Sequence, residues 1–315
     1  MAIIVNTNMS ALKTQKNLTN ATNGLNKALE RMSTGLKINS AKDDAAGLFV
    51  ATGLNSQIRG SQVAKNNIAT GTNVLTMVES DLDVMLDNLN RIRDLAVQGA
   101  NSVYDTAAMN AMKDEVSLRL KEIDRISDAS NFNGLKLLSG NGEAGTLSKE
   151  GLRLQVGANS DGTANSIVVD KSLFTNVKSG NLGTSAIANA AGATGKSDTG
   201  STTVTDNVLN HENTLNAAFA NSSGAAGYIT LVDNAINTIA AKKSEIGAVM
   251  NRLESAEASL VTTIENNTAA KSTIMDADIA EESANFTKQQ ILQQTSAALL
   301  VQANQLPALA LNLIQ

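Results

Sequence analysis

Residues 289–315 read QQILQQTSAALLVQANQLPALALNLIQ, and none of them is charged. Ile291, Leu292, Leu299, Leu300, Val301, Leu306, Leu309 and Leu313 give the segment the apolar content of a helix that must be covered, interrupted by Gln293, Gln302, Asn304 and Gln305. Such a helix does not sit alone in water. Its nearest cover is the opposite end of the chain, where Ala11, Leu18, Leu25 and Met32 recur every seven residues, with Ala21 and Ala28 between them. The spacing predicts two terminal helices that pair with each other and also touch other copies of the chain.

Inward from the N-terminus, a first helix is expected over Ser10–Lys37, its seam widened by Leu29 and Leu36. Ser40 with Asp43 has the spacing of an N-cap pair for the next helix, expected over Asp44–Gln98. There Leu54, Ile68, Leu75, Leu82 and Leu89 share one heptad position, and Ala64, Val78, Met85 and Ile92 the second. Ser61, Gln57 and Gly71 are the lapses. A heptad pattern this long argues for coiled-coil packing, and the helix would span roughly 80 Å at about 1.5 Å per residue. Asp105 is the expected N-cap of a third helix over Thr106–Ser130, with the stripe Met109, Met112, Val116, Leu120, Ile123 and Ile126. The short connection makes helices two and three antiparallel neighbours.

The period then changes. Asn131-Phe132-Asn133-Gly134 ends the helix; Leu152–Val156 alternates as a strand does, and Ile167-Val168-Val169 reads as its hairpin partner. Residues 179–225 are rich in Gly, Ala, Ser, Thr and Asn and offer little to bury, which predicts a loop or thin surface segment. Helix resumes near Tyr228, with Val232, Ile239, Ile246, Leu253, Leu260 and Ile274 on one position, where Asn267 is the polar exception, and Ala235, Val249, Ala256, Thr263 and Ala270 on the second, where Lys242 is the lapse. Asp276-Ala277-Asp278 marks a joint before the last helix.

Composition supports a helical bundle over a globular enzyme. Aromatics are 2% of the chain, Trp is absent, and the single Pro is Pro307, so long helices go uninterrupted. A net charge of −5 offers no basic face for nucleic acid. With no Cys, neither a disulfide scaffold nor a thiol metal site is possible. The last helix carries too many amides and a proline to suit a membrane span. His211-Glu212 begins the H-E-x-x-H pattern of zinc proteases, but its fifth position is Leu215 and the chain has no second His. Asp43-Asp44, Asp276 with Asp278, and Glu281-Glu282 lie at expected helix starts, where carboxylates meet the positive end of the helix dipole. Met77, Met85, Met109, Met112 and Met250 read as core filling. No catalytic, cofactor or metal residues are expected.

Two sets of motifs then carry a family resemblance. Glu30-Arg31-Met32-Ser33-Thr34-Gly35-Leu36-Lys37-Ile38-Asn39-Ser40-Ala41-Lys42-Asp43-Asp44-Ala45-Ala46-Gly47, preceded by Asn6-Thr7-Asn8 and followed by Ser56-Gln57-Ile58-Arg59-Gly60, resembles the N-terminal signature of bacterial flagellin. Asp276-Ala277-Asp278, Gln290-Ile291-Leu292-Gln293-Gln294 and Gln302-Ala303-Asn304-Gln305-Leu306-Pro307 look like its C-terminal half. The resemblance covers about residues 1–170 and 228–315 and implies a mainly α fold. In that fold an elongated rod of long antiparallel, coiled-coil-like helices has its terminal helices paired, and carries a small β-hairpin and a short variable surface insert. It divides the chain into a terminal helical pair at 1–42 and 278–315, forming the inner tube of a filament, a rod at 43–178 and 226–277, and a surface segment at 179–225.

By the same resemblance the function is that of a self-assembling, extracellular filament subunit for bacterial motility. It would be exported unfolded through the flagellar type III channel without a cleaved signal peptide. The alternative is a hook–filament junction protein, which shares the terminal helices. Implied partners are other copies of the chain, flagellar cap and hook-junction proteins, and an export chaperone at the C-terminal helix. A further one is the innate immune flagellin receptor of hosts, whose contact positions match Arg91, Leu95 and Glu115 here. Leu18, Leu25, Met32, Ile291, Leu292, Leu299, Leu300 and Leu306 are expected to form the terminal self-assembly seam.

Overall fold

The computed structural model describes residues 8–139, 147, 151–160, 162, 164–175, 177–180, 182, 209 and 212–312. Helix α1 spans Met9–Thr34, α2 Ala45–Gly99, α3 Thr106–Ala129, α4 Glu212–Ala218, α5 Ser222–Met275 and α6 Ile279–Asn312. Strands β1 (Asn131–Phe132) and β2 (Leu135–Lys136) form one antiparallel pair, β3 (Leu152–Gln155) and β4 (Ser166–Val169) another. Among the described residues the fold is therefore mainly α, with two small two-stranded sheets. The chain packs into two compact units, 1–59 with 263–315, and 60–262. Their limits fall inside the long helices α2 and α5.

In unit 60–262 the heptad stripes become the core. Ile68, Leu75, Val78, Leu82, Met85, Leu89 and Ile92 of α2 are buried with Val116, Leu120 and Ile123 of α3 and Val232, Ile239, Ile246 and Leu253 of α5. Met77 departs from the pattern and is exposed, one position short of the Val78 stripe. Helix α5 runs antiparallel to α2, as the ion pairs Lys65–Glu257 at 3.5 Å and Arg93–Asp233 at 2.6 Å show. The β3–β4 hairpin lies against α2: Asn67 Nδ2 donates to the Gln155 carbonyl at 3.3 Å. Gly71, a lapse in the heptad reading, is where the Leu154 methyls reach the helix backbone, and a Cβ there would overlap them.

Three expectations change in this unit. Asn131–Lys136 is a hairpin of its own, turning at Asn133 (φ 50°) and Gly134 (φ 82°); Asn-Gly is the preferred sequence for such a turn. The stretch 179–225 is not without buried groups. Leu182, Leu209, Leu215, Ala218 and Phe219 join the core, because Leu215, Ala218 and Phe219 stand three and four apart on the α4 side. Phe219 packs at 6.0 Å from the ring of Tyr228, whose hydroxyl donates to the Leu209 carbonyl at 3.1 Å. Lys242 keeps its heptad position by a polar route. It is buried, and its Nζ donates to the carbonyls of Ser172 and Leu173 at the 3-10 turn Lys171–Phe174.

In the unit formed by 1–59 and 263–315, α1 starts on Asn8, whose side chain accepts from the Ala11 N–H at 3.1 Å, and ends on Gly35 in the left-handed conformation. Ser40 and Asp43 bond each other but do not cap α2; Asp44 does, accepting from the Gly47 N–H at 2.9 Å. Asp278 caps α6 through the Ala280 N–H at 2.8 Å. The lapses Gln57 and Asn267 meet each other, amide to amide at 3.4 Å.

Candidate assembly surfaces

Helices α1 and α6 pack antiparallel. Along their contact Asn8 Nδ2 donates to the Ala303 carbonyl at 2.7 Å, Gln293 Nε2 to Thr22 Oγ1 at 3.3 Å, and Arg31 Nη1 to Glu282 Oε1 at 2.8 Å. The Gln289 side chain lies on Gly24, with its Cδ 2.7 Å from where a Cβ would stand. Among the described side chains the buried ones are Ala21 and Ala28 on α1, and Glu282, Ser296 and Ala303 on α6. Glu282, Gln289, Ser296 and Ala303 are spaced by seven. The intrachain seam is thus made of small and polar side chains, which lets two helix backbones approach closely.

The large apolar residues of the same helices are elsewhere. Ile291 (57% exposed), Leu292 and Leu299 (53%) face solvent with Val301 on α6, as do Met9, Leu12 (60%) and Leu29 on α1. The expectation that α1 covers the apolar surface of the last helix is corrected here: the seven-residue spacing of small residues wins the close contact, and the bulky side chains are left outside. Leu18, Leu25, Met32 and Leu300 are half-buried at the edges of the seam. Leu306 lies on α6, and its side chain is outside the described residues. Scanning for seven-residue spacing among small and amide residues, not only apolar ones, would have found the seam.

Beyond the seam the two chain segments are stitched by backbone. Leu36 and Asp276 form an antiparallel bridge, with the Lys37 N–H donating to the Met275 carbonyl at 2.6 Å and the Ala277 N–H to the Gly35 carbonyl at 2.9 Å. Lys27 pairs with Asp43 at 2.8 Å. That ammonium first, then Ser40, holds the Asp43 carboxyl well below the usual range.

A second surface lies on α2 and α3. Glu115 Oε1 accepts from Arg91 Nε and Arg119 Nε, both at 3.1 Å, and Arg119 Nη1 donates to Asn88 Oδ1 at 3.3 Å. The bond from Arg91, above all, holds the Glu115 carboxyl below its ordinary range. Arg91 and Glu115 are thus brought together on an accessible face. Leu95 is not on it: at 2% exposure it belongs to the core beneath, since it falls three residues after the buried Ile92. Arg119 and Asn88, the other members of this network, were not anticipated. His211 lies outside the described residues. Among the described residues no cluster of potential metal ligands occurs, and no helix is long and apolar enough to cross a membrane.

Comparison with known proteins places these surfaces in context. Residues 5–143 match the model of the bacterial flagellin N-terminal helical region, and 229–314 that of the C-terminal helical region. The chain is 35% identical to a flagellin of Bacillus subtilis (strain 168) over 99% of both chains. It is 34% identical to the flagellar filament 33 kDa core protein of Treponema phagedenis, over 99% of this chain and all of that one. Among solved structures, a putative flagellar hook-associated protein from Vibrio parahaemolyticus shares the fold at a TM-score of 0.51 and 17% identity. That match covers 74% of this chain and all of the other.

Proposed function

The chain belongs to the bacterial flagellin family, and on that premise we propose that it is the structural, non-enzymatic subunit of an extracellular flagellar filament that serves motility. The observation carrying this reading is the partition of the terminal helices. Their mutual contact uses alanine, glycine, serine and amides, while Leu12, Leu29, Ile291, Leu292 and Leu299 stay exposed. An outward apolar face on each member of a pair suits repeated contact with further copies, and a repeated contact that does not close on itself generates a helical polymer.

In this reading residues 1–42 and 278–315 line the inner tube, 43–178 and 226–277 pack outside it, and 179–225 supplies the surface segment, apart from Leu182, Leu209, Leu215, Ala218 and Phe219, which join the core. The uncharged stretch 289–315 suits a crowded tube, where like charges would repel. The chain reaches its place unfolded through the flagellar type III channel, with an export chaperone on the C-terminal helix and cap and hook-junction proteins at the assembly ends. Purified protein added to short filament seeds should elongate them, as seen by electron microscopy. A protein that only decorates seed ends is instead a hook–filament junction protein.

The same reading assigns the innate immune flagellin receptor to the face carrying Arg91 and Glu115, with Leu95 supporting it from below. Arg91→Ala should lower receptor signalling by purified monomer, and unchanged signalling would remove this assignment.

A further inference from the structure

In Asn-Gly the asparagine side chain is open to attack by the backbone nitrogen that follows, because glycine has no side chain to block the approach. Two such pairs lie among the described residues. Asn23-Gly24 is inside α1, where backbone amides are committed to the helical ladder. Asn133-Gly134 is the turn of the β1–β2 hairpin: both residues are exposed, both have positive φ, and the pairing of Phe132 with Leu135 leaves them outside the ladder. The turn leads directly into buried Leu137 and Leu138. The Leu137 N–H donates to the Ser130 carbonyl at 3.1 Å, and the Leu138 carbonyl accepts from Ser127 Oγ at 2.8 Å.

We propose that Asn133-Gly134 is a self-modification site, at which the native chain converts its own turn to aspartate and isoaspartate. The Gly134 nitrogen gives its proton to a water base and attacks Asn133 Cγ. The N–Cγ bond forms, the Cγ–Nδ2 bond breaks, and ammonia leaves with the proton. Water then opens the cyclic imide at either carbonyl. Opening at one gives aspartate, whose Asp-Gly sequence suits the same turn. Opening at the other routes the main chain through Cβ and Cγ, adding one carbon to a two-residue turn. The Phe132–Leu135 register then fails, and the Leu137–Ser130 bond goes with it. The two products therefore differ in consequence: one adds charge, the other releases the hairpin.

The test ages the full-length chain at mildly alkaline pH, folded and in guanidinium chloride, and resolves aspartate from isoaspartate at position 133 by digestion and mass spectrometry. Reaction within the folded turn predicts a native rate within roughly tenfold of the unfolded one, since no local opening is needed. An Asn133 that stays amidated in the folded chain while reacting in denaturant overturns the proposal. Hydrogen-exchange protection of the Leu137 amide should fall in step with isoaspartate. Asn133→Gly accepts the positive φ and cannot react, so it should keep that protection; equal loss in N133G would sever the link between the modification and the hairpin.

Discussion

Arg31 donates to Glu282 at 2.8 Å, joining the last turn of α1 to the first turn of α6. The pair sits where both helix dipoles favour it, a cation at a C-terminus and an anion at an N-terminus. Glu282 is buried, and the Arg31 Nε has no partner among the described atoms. Removing one partner leaves the other charge poorly solvated. Glu282→Ala should therefore destabilise the α1–α6 pair by about 2 kcal/mol, less than for a fully buried pair, measured by hydrogen exchange of the Ala28 amide. The double variant Arg31→Met with Glu282→Leu should recover most of the loss.

Leu299 and Ala303 lie one helical turn apart and should respond in opposite ways. Leu299→Gln, on an exposed site, should leave the isolated chain within about 0.5 kcal/mol of its stability. Burying a leucine between copies contributes about 2 kcal/mol, so the same change should raise the concentration needed for filament growth by roughly thirtyfold, read by sedimentation. Ala303→Leu, at the seam, should instead destabilise the helix pair itself by about 1–3 kcal/mol through overpacking.

Lys242 sets an alkaline signature. Burial pulls its ammonium below the ordinary lysine range, so between the folded and unfolded values the unfolded chain binds more protons and stability rises with pH. Tyr228 acts oppositely: burial raises its phenol, and that contribution is present below about pH 10 and lost above it. Lys243, raised by its bond to Asp83, also loses stability as pH rises through its folded value. The difference between wild type and Lys242→Met isolates the first group. Denaturant melts from pH 8 to about 10.4, the ordinary lysine value, should show wild type gaining on the variant.

Gly71→Ala brings two effects into competition. Alanine favours a helix interior by about 1 kcal/mol, but its methyl meets Leu154, and forcing the hairpin aside costs about 1–3 kcal/mol. The expected net is a loss of about 1 kcal/mol in denaturant melts, with weaker exchange protection in β3. A gain in stability would mean that the hairpin yields freely.

The long helices were legible because their core residues are large, apolar and spaced by seven; Leu75, Leu82 and Leu89 announce themselves. The α1–α6 seam was not, because Gln289, Ser296 and Ala303 carry no hydrophobic signal and are chosen for smallness and hydrogen bonding. Lys242 looked like a fault in its stripe because its partners, the carbonyls of Ser172 and Leu173, lie some 70 residues away. In the sequence Asn133-Gly134 marks the end of the helix it follows, although the same dipeptide is also a hairpin signal. Leu215 and Phe219 were hidden by the small residues around them. On the α2–α3 face, Arg91 and Glu115 came from family likeness, and burial then separated them from Leu95.

The bridge between Leu36 and Asp276 has a bearing on how these ends can change over evolution. Anchored at that point, α1 and α6 are measured from a common origin, so a residue gained or lost in one shifts its rungs against those of the other. Gly24 would no longer meet Gln289, nor Asn8 meet Ala303. Length changes in the two ends must then come in matched steps of whole heptads.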